Sequence, residues 1–430
     1  MKKINIITLG CSKNTYDSEL LIGGLQKNNF EIVNDIVDAN CVIVNTCGFL
    51  DDARKEGIET ILEVEQLKNN GKIQTAVVMG CMSERFGDEL RSEITNIDHY
   101  FGSNNISEII RFLCSETHEL YDPDFNRANL TPNHYGYLKI SEGCDNNCSF
   151  CSIPIMRGLQ KSQPIEWNVQ EAKRMIANGA KEILLIAQDS TAYGWDLSPR
   201  VALSDLLYNL NELDNLDWLR LHYAHPAHLN NKIIECFKRL DKLVPYIDMP
   251  IQHASDGMLT TMRRGMKLEG IKRKIERLRN IKSDIAIRTS FIVGFPNESD
   301  SDFQSLYDFI NEIKFDRVGV FTYSEEEGTY GKEKFSDNVS SKIKKERHDE
   351  IMKLQLGISL ENNKKLLNTN QKVLIDTHTQ DGNSIGRTFR DSPEIDNTVT
   401  INGRLNIGKF YNTKITEVHP YNLFGVINNA

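Results

Sequence analysis

Short runs of apolar, β-branched residues alternate with stretches of helical periodicity along the first third of the chain. Ile4 to Leu9, Cys41 to Thr46 and Thr75 to Met79 read as strands, and Asp17 to Lys27 and Asp51 to Lys68 as helices. That alternation predicts a parallel sheet with crossover helices. Each of the three strands ends in a small-residue turn bearing a cysteine: Gly10-Cys11, Thr46-Cys47-Gly48 and Gly80-Cys81. The same grammar resumes over residues 131–362, where Tyr135 to Ile140, Lys181 to Asp189, Trp218 to Tyr223, Tyr246 to Gln252, Ile285 to Phe295 and Arg317 to Tyr323 predict six strands. Six strand–helix units make an incomplete barrel, open on one side, with its active groups expected at the carboxyl ends of the strands. A charged helical stretch from Ser340 to Leu367 leads into Lys372 to Asp376, Asn397 to Ile401 and Tyr411 to Val418, short strand-like runs divided by Gly- and Asn-bearing turns. These predict a small antiparallel barrel. The expected class is α/β in three segments, 1–130, 131–362 and 363–430.

Composition narrows the setting. The chain has 430 residues, 40% of them hydrophobic and 26% charged, as in an ordinary soluble protein. No apolar run approaches the length of a membrane span, and Met1-Lys2-Lys3-Ile4 leads into a strand pattern instead of a signal sequence. A cytoplasmic location without membrane association is expected. Nine cysteines, an odd number spread over a large chain, argue for reduced thiols with some metal binding and against a disulfide scaffold. The net charge of −9 is uneven: residues 1–130 hold 12 Lys and Arg against 21 Asp and Glu, whereas residues 363–430 hold 8 against 6. The first segment has the wrong sign for a phosphate backbone; it reads as a solvated acidic surface and leaves room for a basic protein as substrate.

The segment Gly143-Cys144-Asp145-Asn146-Asn147-Cys148-Ser149-Phe150-Cys151 carries the densest chemistry. Three closely spaced thiolates can hold an iron–sulfur cubane and leave its fourth iron open to a small molecule. Zinc and free thiols are the alternatives; zinc ordinarily takes a fourth Cys or His, and the next candidates are the distant His222 and Cys236. Cys11, Cys47 and Cys81 lie at three equivalent strand ends, where an open parallel sheet binds its ligands, and predict a second three-thiolate site. Singly, each would read as a buried small hydrophobe, as Cys41, Cys114 and Cys236 do. At the strand ends of the barrel, Gln188, Asp189, Gln252, His253 and Arg288 with Thr289 are the polar candidates for a cofactor. A capping role for Gln252 and His253, and a carboxylate partner for Arg288, stand as the alternatives.

The C-x3-C-x2-C spacing, the preceding strand Tyr135 to Ile140 and the aromatic Phe150 resemble the radical S-adenosylmethionine superfamily. The N-terminal cysteines sharpen this to the methylthiotransferase family. Gly10-Cys11-Ser12-Lys13-Asn14 with Asp17-Ser18-Glu19, and Asn45-Thr46-Cys47-Gly48-Phe49-Leu50-Asp51-Asp52-Ala53 with Glu56, resemble its RimO branch, which modifies an aspartate of small-subunit ribosomal protein S-twelve. The tRNA-modifying branch carries Gln-Met-Asn and an Arg-Glu pair where this chain has Ser12-Lys13-Asn14 and Phe49-Leu50. Gly386-Arg387-Thr388-Phe389-Arg390-Asp391-Ser392-Pro393-Glu394-Ile395-Asp396 resembles a TRAM domain, although Asn397 and Asn422 replace that module's usual Gly and Asp.

The resemblance implies a flavodoxin-like parallel-sheet domain, a partial (β/α)6 radical barrel and a TRAM barrel. It implies two 4Fe-4S clusters, on Cys144, Cys148 and Cys151 and on Cys11, Cys47 and Cys81. It also implies S-adenosylmethionine beside Phe150, Gln188, Asp189, Gln252, His253 and Arg288. The first cluster would cleave S-adenosylmethionine to a deoxyadenosyl radical that removes an unactivated hydrogen, and the second would deliver a methylthio group to give β-methylthio-aspartate. A one-electron reductant such as a flavodoxin and a sulfur donor would be partners. A tRNA adenosine methylthiotransferase and an electron-transfer iron–sulfur protein are the competing readings.

Overall fold

The computed structural model describes residues 2–114 and 127–428. Their contacts define two compact units. One takes the chain up to Thr131 with Glu142–Asn146 and Ser152–Lys161; the other takes Pro132–Ser141, Asn147–Cys151 and everything from Ser162. The expected second and third segments therefore share a unit, and two short pieces around the C-x3-C-x2-C run belong with the first.

In the first unit β1 (Lys3–Thr8), β2 (Glu31–Ile32), β3 (Cys41–Thr46), β4 (Thr75–Gly80) and β5 (His99–Tyr100) form a parallel sheet in the order β2-β1-β3-β4-β5. This is the flavodoxin-like order, with its reversal of direction between β1 and β3. Alternate residues explain the double cover: Val42, Val44, Ala76 and Val78 pack with Ile61 and Val64 of helix Asp51–Asn69. On the other face, Ile43, Val77 and Met79 pack with Leu21 and Leu25 of helix Ser12–Lys27 and with Ile109 and Ile110 of helix Ile106–Cys114.

The second unit opens with β6 (Tyr135–Lys139); the two-residue strands β7 (Ser141–Glu142) and β8 (Lys161–Ser162) that follow each have one residue in either unit. Next come β9 (Glu182–Ile186), β10 (Trp218–Leu221), β11 (Leu243–Asp248), β12 (Ala286–Val293) and β13 (Arg317–Thr322). Strands β6-β9-β10-β11-β12-β13 make one parallel six-stranded sheet whose outer strands β6 and β13 do not pair. This is the open partial barrel that the sequence predicts. Its outer face is clad by Leu206, Leu210, Ile233, Phe237, Ile275 and Leu306 from the intervening helices. The chain ends in a closed barrel, β14 (Asn370–His378), β15 (Ser384–Arg387), β16 (Thr398–Ile401), β17 (Phe410–Val418) and β18 (Asn422–Ile427). The pairing of β16 with β18 is parallel, so this barrel is not antiparallel throughout.

Charged and aromatic groups join the two barrels of this unit. Arg220 Nε donates to Glu182 Oε1 at 2.6 Å, Arg387 pairs with the other oxygen of Glu182 and with Asp376, and Arg220 also donates to the Phe389 carbonyl. Arg317 pairs with Asp391, Tyr135 donates to Glu394 and Tyr246 to Asp396. Residues 387–396 thus close the amino-terminal end of the six-stranded barrel. Glu182 and Arg220 are fully buried, and removing one partner of such a pair strands the other charge. Glu182→Ala is expected to cost about 3–5 kcal/mol, measured by urea unfolding monitored at the barrel tryptophan Trp218; a cost under about 1 kcal/mol, the range of exposed pairs, would contradict this.

Candidate functional site

Cys11 lies just beyond β1, Cys47 directly beyond β3, and Cys81 directly beyond β4 at the start of helix Cys81–Glu93. Glycine lets these ends converge. A Cβ on Gly10 would sit 2.7 Å from Cys47 Cβ, and one on Gly48 would sit 2.7 Å from the Cys81 carbonyl oxygen. Gly10 and Gly80 also hold φ of 96° and 103°, a region side chains disfavour. Side-chain amides stitch the strand ends together: Asn14 Nδ2 donates to the carbonyls of Leu9 (2.8 Å) and Thr46 (3.1 Å), and Asn45 Nδ2 donates to the Asn14 carbonyl and Ser18 Oγ, both at 2.9 Å. Polar residues of the Gly10–Glu19 motif therefore lie buried at the strand ends, with Asn14, Asp17, Ser18 and Glu19 all at most 2% exposed.

Cys11 is exposed, whereas Cys47 and Cys81 are buried. Burial pushes both buried thiols up, Cys81 to about 11, and a neighbouring Cys11 thiolate adds to the shift in each. Arg157 opposes it at Cys81. Its Nε lies 3.1 Å from Cys81 Sγ, Nη2 donates to Asn14 Oδ1 at 2.7 Å, and Nη1 pairs with Asp17 at 2.7 Å and Glu142 at 3.2 Å. Nothing in the sequence pattern singles out this arginine. Its one local signal is a charged residue closing the short, otherwise apolar helix Ile153–Arg157.

The other cysteine run is held by backbone bonds. Cys144 N–H donates to the Gly158 carbonyl, and Gly143, at φ 75°, has no room for a side chain because its Cβ would meet Leu159 O at 2.1 Å. Cys148 and Cys151 share a turn, Cys151 N–H donating to Cys148 O at 3.1 Å. Ser149 anchors that turn to the Thr261 and Met262 carbonyls. Phe150 packs against Met258, Met262, Ile292, Phe295 and Tyr323, so its evident contacts are apolar. Buried Arg264 donates from Nη1 to Cys148 Sγ at 3.0 Å and from Nη2 to the Pro250 carbonyl at 2.7 Å. This arginine, too, escapes notice in the sequence.

All six cysteines are free thiols. Soft thiolate donors with a guanidinium N–H against Cys81 in one triad and against Cys148 in the other suit an anionic iron–sulfur cluster.

At the carboxyl end of the six-stranded barrel, Gln188 is half-buried and Asp189 is buried. Asp189 accepts from Thr191 N–H and Oγ1 through Oδ1 and pairs with His228 Nδ1 at 2.6 Å through Oδ2. Against the effect of burial, the bonds from His228 and Thr191 hold its carboxyl down at about 2. His225 Nδ1 accepts the Ala227 N–H, which places the imidazole proton on Nε2 and leaves no lone pair there for a metal. The trio is a hydrogen-bonded pair with a stacked neutral histidine, His225 and His228 having ring centroids 4.7 Å apart. Gln252 adopts φ 79° and bridges to Phe291, and fully buried His253 accepts the Ser255 N–H on Nδ1. Arg288 departs from expectation. It is the third residue of β12, short of the carboxyl end, and pairs with Asp248 at 2.9 Å and Asp396 at 3.4 Å. Five further strand residues separate it from the carboxyl end of β12, while Thr289 Oγ1 accepts the Ile251 N–H. Gly294 N–H donates to Glu298, closing the turn before helix Asp300–Ile313.

Three family models match the chain: "Uncharacterized protein family UPF0004" over residues 3–102, "Radical SAM superfamily" over 138–310 and "TRAM domain" over 369–427. The chain is 43% identical over 428 residues to the ribosomal protein uS12 methylthiotransferase RimO of Christiangramia forsetii, covering 98% of this chain and 94% of the relative. It is 44% identical to that of Flavobacterium psychrophilum (98% and 97% covered) and 41% identical to that of Bacteroides fragilis (99% and 99%). Among solved structures, the radical S-adenosylmethionine methyltransferase TsrM from Kitasatospora setae superposes with a TM-score of 0.56 at 14% identity, over 74% of this chain and 73% of its own. The cobalamin-dependent radical enzyme OxsB gives 0.52 at 13%, over 83% and 56%. At these identities the likeness is one of fold.

Proposed function

Because the chain belongs to the RimO family of radical S-adenosylmethionine methylthiotransferases, we propose that it adds a methylthio group to the β-carbon of an aspartate in ribosomal protein uS12. The observation that carries the reading is the convergence of Cys11, Cys47 and Cys81 at three adjacent strand ends of a chain that also holds the C-x3-C-x2-C run. In this reading Cys144, Cys148 and Cys151 ligate the cluster that its superfamily implies, and Cys11, Cys47 and Cys81 ligate a second. A 4Fe-4S cluster held by Cys144, Cys148 and Cys151 would supply the electron for reductive cleavage of S-adenosylmethionine.

The chain's own groups bind and aim. Cys47 and Cys81 need a partner that favours the thiolate in a buried place, and the Arg157 Nε–H donated to Cys81 Sγ is such a partner. Asp189, kept ionised at the carboxyl face, offers a buried negative charge to a cationic cofactor, and Gln188, Gln252 and His253 lie at neighbouring strand ends. Phe150 and its apolar neighbours keep water from one side of the cysteine turn. An open barrel admits a loop of a macromolecular substrate. A one-electron reductant, such as a flavodoxin, and a sulfur donor complete the cycle. Among the described residues no helix is long and apolar enough to cross a membrane, in keeping with a cytoplasmic partner.

Reduced, reconstituted enzyme given S-adenosylmethionine, sulfide and uS12 should form deoxyadenosine and methylthio-aspartate. Consumption of S-adenosylmethionine with neither uS12 nor tRNA modified would contradict this. The acidic segment 1–130 further predicts that uS12 association slows as salt rises, because exposed charges steer encounter only within a Debye length of about 10 Å at 0.1 M. Stopped-flow association rates that do not change between low and high salt would count against a charge-steered protein substrate.

A further inference from the structure

The two triads differ in how their arginines are compensated. Arg157 touches Cys81 but also two carboxylates, Asp17 and Glu142, so the group as a whole is not positive. Arg264 touches Cys148, and its other hydrogen-bond partner is the neutral Pro250 carbonyl; among the described residues no carboxylate forms an ion pair with it. It is 5% exposed. Its backbone is fixed as well: Arg264 N–H donates to Leu259 O at 2.9 Å, and the flanking Arg263 and Gly265 hold φ of 56° and 68°. The guanidinium is therefore a buried, unneutralised charge presented to one sulfur by a rigid turn. Its field reaches further along the same face, where burial first and Arg264 second push His225 down to about 3.

A reduced cluster carries one more negative charge than an oxidised one. A fixed cation and an N–H donor at a ligand sulfur stabilise the reduced form more, and burial strengthens the effect. We propose that Arg264 is a positioning residue that sets the reduction potential of the cluster on Cys144, Cys148 and Cys151, making it easier to reduce. Arg157, neutralised by its carboxylates, clamps its own site instead. The proposal rests on the cluster assignment above.

The test is a redox titration, followed by electron paramagnetic resonance, of the full chain carrying C11A, C47A and C81A, so that only the barrel cluster contributes. At a fixed solution potential, R264Q should lower the ratio of reduced to oxidised cluster at least about tenfold, equivalent to about 59 mV for one electron. R264K keeps the charge and should fall by less. Equal iron with the same potential in R264Q as in its parent would overturn this proposal alone. A second measurement needs no variant at position 264. In protein labelled with nitrogen-15 in arginine, the reduced cluster should show a nitrogen-15 hyperfine coupling, and its absence would overturn the proposal whether or not R264Q keeps its iron. A chain that takes up no cluster through Cys144, Cys148 and Cys151 would overturn the cluster assignment and this proposal with it.

Discussion

Replacing Cys144, Cys148 and Cys151 together by alanine is expected to reduce deoxyadenosine formation to background while leaving about half of the iron, the share of a second independent cluster. The chemical reason is that electron entry into S-adenosylmethionine needs an iron the protein leaves unligated, and alanine removes every anchor for it. The fold should survive, because the turn is held by backbone bonds from Cys144 N–H to Gly158 O and Cys151 N–H to Cys148 O and by Ser149, none of which needs a thiol. Iron and sulfide falling to zero, with an unchanged circular dichroism spectrum, would show that the two sites do not load independently.

The converse variant separates the two duties. Replacing Cys11, Cys47 and Cys81 by alanine should leave reductive cleavage within a factor of about two of wild type, as for energetically independent sites, and abolish methylthio transfer. Arg157 would lose one sulfur partner yet keep Asp17, Asn14 and Glu142, so the strand ends should remain assembled. Quantifying deoxyadenosine and modified uS12 in one reaction checks both halves. Loss of deoxyadenosine from a protein whose barrel cluster is fully occupied would defeat the division of labour.

The sequence exposes these features unevenly, for physical reasons. Apart from Asn45, strands β3 and β4 are β-branched or apolar runs because both faces are covered, and their cysteines stand out by repetition after a strand. The edge strands Glu31–Ile32 and His99–Tyr100 have two residues each, too few to carry any periodicity. Ser384–Arg387 escapes for a different reason: it mixes polar residues with a glycine, and barrel closure, not local propensity, makes it a strand. Arg288 illustrates how a strand end can be misplaced. The run from Ile285 to Phe295 is legible, but which of its residues lies at the carboxyl end depends on where β12 stops, and Asp248 and Asp396 claim the guanidinium at its other end. Arg157 and Arg264 are invisible to pattern altogether. Each acts on a cysteine at least 76 residues away in sequence, a pairing only the fold creates.

The cysteine variants test the machinery, but the substrate is the central claim. It is tested most directly by mass spectrometry of ribosomal protein uS12 and total tRNA from cells lacking this gene and from the same cells with it restored. The expected result is a methylthio group on one uS12 aspartate that disappears with the gene and returns with it, while methylthio-adenosine in tRNA stays constant. A uS12 that is unmodified in both strains, with tRNA methylthio-adenosine tracking the gene, would contradict the account and make the chain a tRNA-modifying enzyme.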